Sequence, residues 1–166
     1  MTPSQPLDTP LWAFSLTVYG GDEVPDECLA LQERLGLDVN ILLFAAFIGA
    51  VEGVRLEISD IAAANAEVAH WQADIVRPLR HARRALKPMS AEGLRAQVKA
   101  AELAAEKIEL ASLWQWSRAE LTGRPRIDRA DALAENLSAV LEFYRTPDRP
   151  ETTLPRLLAA AAAYRS

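Results

Sequence analysis

Arg77, Arg80, Arg84 and Lys87 follow one another at steps of three, four and three, which puts all four on one face of a helix. Guanidinium forks match the planar geometry of carboxylate and phosphate groups. This face, flanked by His81 and Arg83, is therefore expected to bind an acidic protein partner or an anionic small ligand. The alternative is a solvated basic face, or one folded against acidic surface elsewhere in the chain. Glu67 and His70 form a second pattern, Glu-x-x-His, the ligand pair of di-iron carboxylate bundles. Glu102 and Glu106 are the carboxylates that would complete such a site. That chemistry needs the pair twice, however, and Pro78 stands where His81 would need its glutamate. A histidine packed beside Trp71 is the plainer account, so neither metal nor cofactor is expected.

Trp114 and Trp116 lie two residues apart, about 200° of helical rotation. One indole is expected to face the core and the other to be partly exposed. Trp116 is thus a candidate aromatic anchor for a partner, and packing under the C-terminal helix is its alternative. Nucleophilic chemistry finds no support. Cys28 sits mid-helix beside Leu29 and Leu31, where thiols are inert. The chain has no Gly-x-Ser-x-Gly elbow, no Gly-rich phosphate loop and no His-Glu-x-x-His. No catalytic residue is nominated.

The elements that must position these groups read as helices. Thr9-Pro10 caps a first segment to Tyr19. Trp12, Phe14, Leu16 and Val18 alternate there as in a strand, yet no second strand exists to pair with it, so helix is expected. Further helices are expected from about Pro25 to Leu35, ending at Gly36, and, capped by Asp38, from Val39 to about Val54, apolar on nearly every face. A fourth starts at Ser59-Asp60, kinks near Pro78 and ends at Leu86. The longest is read over about 90–121, starting at Ser90, with a seam of Leu94, Val98, Ala101, Ala105 and Ile108. Asp128 caps another to Tyr144, Pro147 and Pro150 bound a loop, and a short Ala-rich helix closes the chain.

The sum is an all-α, single-domain bundle of six to seven helices over 1–166, with 1–9 and 146–152 irregular. At 166 residues it is long enough to bury a core without staples, and one cysteine excludes an internal disulfide. The first ten residues hold no basic residue and no apolar run, which predicts no secretory leader. The apolar run Ile41 to Val51 is too short to span a bilayer. A cytoplasmic protein without membrane contact is expected. The net charge of -5 argues against nucleic acid as partner. Charge is uneven: residues 1–60 carry -8 and residues 61–166 carry +3.

Two stretches carry a family resemblance. Trp12, Phe14, Leu16 and Tyr19 precede Cys28-Leu29, Leu31-Gln32, Gly36, Asp38-Val39-Asn40 and Leu42-Leu43-Phe44. Later come Trp71, Val76, Pro78-Leu79-Arg80, Arg83-Arg84, Lys87, Glu102-Leu103 and Glu106. Together they resemble a proteobacterial family of the DUF2390 type, a domain of unknown function, over roughly the first two thirds of the chain. The resemblance implies a bacterial, cytoplasmic helical protein and no particular activity. It draws attention to Gln32, Asp38 and Asn40, polar residues beside the most apolar helix, which with Trp71 form a possible polar pocket. Local capping by Asp38 and backbone bonding by Asn40 and Gln32 are the alternative. The leading expectation is a non-enzymatic adaptor binding an acidic partner through the basic stripe. A small-molecule or metal-dependent enzyme, with its site between the central helices, stands beside it.

Overall fold

The computed structural model describes residues 6–146 and 153–165, and the loop expected around Pro147 and Pro150 lies outside them. All the regular structure described is helical. Thr9 caps α1 (Pro10–Tyr19), its hydroxyl accepting from the Trp12 amide at 3.1 Å. Leu11, Phe14, Ser15 and Val18 of α1 are buried, a helical spacing that overrides the strand-like alternation. After the Gly20-Gly21 break comes α2 (Val24–Leu35). It stops at Gly36, whose left-handed backbone lets its amide donate to the Gln32 carbonyl at 2.9 Å.

Asp38 caps α3 (Val39–Phe47), accepting from the Asn40 amide at 2.9 Å, and every residue from Asn40 to Phe47 is buried. A π-helical turn, Ile48–Glu52, widens the end of α3. Gly49 in that turn lies against the backbone of α7 (Arg129–Phe143), where a Cβ would stand 2.6 Å from the Leu133 backbone. Only hydrogen fits. Asn136 of α7 is fully buried and ties three segments together. It accepts from the Leu56 amide at 2.7 Å and donates to the carbonyls of Ala45 at 3.2 Å and Val54 at 2.9 Å.

The fourth helical rod contains α4 (Ile58–Trp71), a π-turn at Gln72–Val76 and α5 (Arg77–Leu86). The irregularity expected at Pro78 is therefore absorbed one turn earlier. Proline offers no amide and crowds the carbonyl four residues before it, and the wider turn accommodates both. The long helix α6 (Glu92–Glu120) spans 29 residues. Ser90 does not cap it: Ser90 has φ of 52° and Ala91 occupies the cap position. α8 (Pro155–Ala163) is latched to α2, whose Glu27 carboxylate accepts from the amides of Arg156 at 3.1 Å and Leu157 at 2.8 Å. Counting α4 and α5 as one rod gives seven helical rods among the described residues.

The expected seam of α6 holds only in part. Glu102, Ala105, Glu109, Leu110, Leu113 and Ser117 are buried, whereas Leu94 and Ala101 are exposed. The first half of α6 packs on α5, and α5 buries none of its own residues. This pair forms a hairpin beside the apolar body of α1, α3, α4 and α7. No helix among the described residues is long and apolar enough to cross a membrane.

Candidate functional site

The charged residues of α5 and α6 meet across the hairpin. Arg80 turns inward: its Nε donates to Glu102 Oε1 at 3.0 Å and its Nη2 to Glu106 Oε1 at 2.8 Å. Arg83, three residues on, donates to both oxygens of the same Glu102. Burial alone would raise the Glu102 carboxyl. The hydrogen bonds and charges of Arg83 and Arg80 outweigh burial and hold it below the ordinary carboxylate range. Glu106 has one guanidinium contact, too little to offset the effect of burial, which pushes it upward. The expected stripe is thereby split. Arg77, His81, Arg84 and Lys87 stay exposed, Arg84 reaching Glu33 at 3.8 Å, while Arg80 is largely buried as an internal tie.

Beside this tie, α1, α2, α3, α5 and α6 enclose a groove of about 530 Å³. Trp12, Leu16, Leu29, Leu43, Leu103 and Leu110 supply its apolar wall, and Arg80, Arg83, Lys99, Glu102 and Glu106 its charged end. Three of the apolar side chains are left in water: Leu16 is 53%, Leu29 37% and Leu103 50% exposed. Ser15, 3% exposed, lies in the wall, and its hydroxyl has no hydrogen-bond partner among the described residues. Gln32 and Asn40 line the groove as well. A second cavity, about 400 Å³, shares Gln32 and Arg80 with the first and is also lined by Asp38, Gln72 and Arg77.

Under both cavities runs a buried polar layer. Asp38 accepts from Gln72 Nε2 at 2.8 Å in addition to its own capping bond. Glu109, wholly buried near Asp38 and Asn40, is pushed up to about 10, first by burial and then by the charge of Asp38. At neutral pH it is a neutral acid. Tyr19 in the groove wall and Cys28 behind it are each pushed up to about 12, chiefly by burial. Neither is a nucleophile at neutral pH.

Other expected site residues fall elsewhere. Trp71 lines neither cavity and donates from Nε1 to the Ala105 carbonyl at 2.9 Å, fastening α4 to α6. Glu67 and His70 are exposed, and Glu102 and Glu106 are taken by arginines. Among the described residues no group of three or more His, Cys, Asp or Glu could hold a metal. Neither Trp114 nor Trp116 is free. Trp114 meets Phe47 edge-on at 5.6 Å and Trp116 meets Phe44 at 5.9 Å, because this end of α6 lies against α3, and both indoles are half-buried there. Ser15, Lys99 and Tyr19 were not nominated as site residues from the sequence. The tie itself had a signal: basic residues three apart and acids four apart on helices joined by a short turn.

The profile described as "Protein of unknown function (DUF2390)" matches residues 10–113, more than half of the chain. No curated protein and no solved structure matches. The match runs from α1 through most of α6 and so takes in both the groove and the arginine tie: the chain belongs to the DUF2390 family, whose function is unknown.

Proposed function

We propose that the chain is a non-enzymatic helical binding protein that seats an acidic protein partner on the basic face of its α5–α6 hairpin. The observation that carries this is that α5 buries none of its ten residues. Residues 77–99 hold seven Lys and Arg against one acid. On α5 and at its end, with Arg80 and Arg83 occupied by Glu102 and Glu106, Arg77, Arg84 and Lys87 stay exposed. Met89, 66% exposed, and Leu94 add apolar surface at the hairpin's end, the role first expected of Trp116.

Poly-L-glutamate binding followed by fluorescence anisotropy tests the reading. The triple variant Arg77→Glu, Arg84→Glu, Lys87→Glu is expected to lose at least about tenfold in affinity with an unchanged melting temperature. Undiminished binding by that variant overturns the reading. Tighter binding of a single-stranded RNA of equal charge redirects it to nucleic acid.

A second reading, a small-molecule site between the central helices, is favoured by the groove. Leu16, Leu29 and Leu103 come from three different helices and leave their apolar surface toward one cavity. The protonated Tyr19 and Cys28 favour binding there over nucleophilic catalysis.

A further inference from the structure

We infer that the groove between α1 and α6 binds an amphiphile carrying a single carboxylate, its body along Trp12, Leu16 and Leu103 and its head at Lys99. The inference rests on the small-molecule reading of the groove and is independent of the hairpin surface. Single exposed leucines are ordinary, but three that converge on one concavity mark a surface built to be covered. The volume of about 530 Å³ suits one small molecule.

The wall also asks for a polar atom. A serine inside a helix ordinarily bonds back to a carbonyl one turn earlier, and buried hydroxyls are nearly always satisfied. The Ser15 hydroxyl has no such bond, and Ser15 is among the residues that line the groove, so an oxygen of the ligand would complete it.

Charge selects the head group. The groove's charged end sets Arg80, Arg83 and Lys99 against Glu102 and Glu106, a surplus of one cation. Both arginines are tied to the glutamates, and Lys99 has no ion-pair partner among the described residues. A carboxylate neutralises that surplus, whereas a dianionic phosphate overshoots it and a neutral head leaves it unmet. Along α6 the distance from Lys99 to Leu110 is about 16 Å, which separates the charged end from the apolar one.

Isothermal titration of the full chain with decanoate and with 1-decanol tests this, because the two probes share a body and differ in the head. Decanoate is expected to bind at least about tenfold more tightly. Lys99→Glu should abolish that preference and leave 1-decanol unchanged. Leu103→Trp, at a half-exposed position, should fill the groove and weaken both. Equal affinities, a preference that survives Lys99→Glu, or tighter binding of decyl phosphate overturns the carboxylate while the groove stands as an apolar site. Binding of neither probe, or binding of both that ignores Leu103→Trp, overturns the small-molecule reading along with it.

Discussion

Where α7 crosses the π-turn of α3, backbone lies on backbone: Gly49 faces Leu133 with no room for a Cβ, and Asn136 closes the remaining polar groups. Where α5 lies on α6, long side chains keep the helices together through Arg80, Arg83, Glu102 and Glu106. The first contact depends on shape and is indifferent to salt and to moderate pH change. The second depends on charge, and partly buried ion pairs contribute little net stability because desolvation cancels much of their attraction. The hairpin is therefore the region expected to open at lowest free energy, and the α3–α7 contact the last. A binding surface on the hairpin sits on the part of the molecule that is cheapest to move.

The largest effect is expected from Gly49→Ala. Its methyl group meets backbone on α7, and backbone does not step aside as a side chain does. A loss of about 3 kcal/mol or more is expected, read as a melting temperature lower by roughly 10 °C. A variant that melts with the parent would remove the contrast between the two regions.

Arg80→Gln comes next, at about 2 kcal/mol, less than for a fully enclosed pair because Arg83 still serves Glu102. Here the informative readout is hydrogen exchange. Amides of α5 and the first half of α6 should exchange faster while those of α3 and α7 keep their protection. Uniform loss across both regions would show one cooperative unit instead of two.

The acids give pH dependences of opposite sign. Glu102 is lowered in the folded chain, so its stabilisation is complete above the ordinary carboxylate range and fades as pH falls through it. Acid should accordingly weaken the Arg83–Glu102 half of the tie, against the opposite trend of the raised Glu106. Glu109 is raised to about 10, so folding takes up a proton and stability declines as pH climbs from the carboxylate range toward 10. Glu109→Gln should melt higher than the parent at pH 8, with the difference gone near pH 4. A lower melting temperature at pH 8 would mean that the folded chain needs the charge. The smallest effect belongs to Glu33→Gln, which removes the exposed 3.8 Å pair with Arg84 and should change stability by less than about 0.5 kcal/mol.

The helices were largely legible because their ends are local events. Thr9 and Asp38 cap where a short polar residue precedes an apolar run, Asp128 caps just after the Arg124-Pro125 turn, and Gly36 stops where only glycine turns easily. Ser90 misled because Glu92 and not residue 91 opens the helix after a left-handed turn. What lies opposite each helix was harder to read. The periodicity of α6 does not reveal that its first half faces polar α5, so Leu94 and Ala101 were placed inside. Glu102 and Glu106 were weighed as metal ligands although their partners sit on α5, the preceding helix. Gln32 and Asn40 do line the groove, but the exposure of Leu16 and Leu103 depends on three helices meeting. No local spacing encodes that.

Asn136 has a practical consequence for anyone cutting the chain. The family match ends at residue 113, before α7 begins. A recombinant fragment stopped there would strip the Ala45 and Val54 carbonyls and the Leu56 amide of the side chain that satisfies them. It would also bare one flank of α3, the most oily segment of the molecule. Such a fragment is expected to aggregate on expression, so the bounds of the family match are not the bounds of a piece that folds by itself.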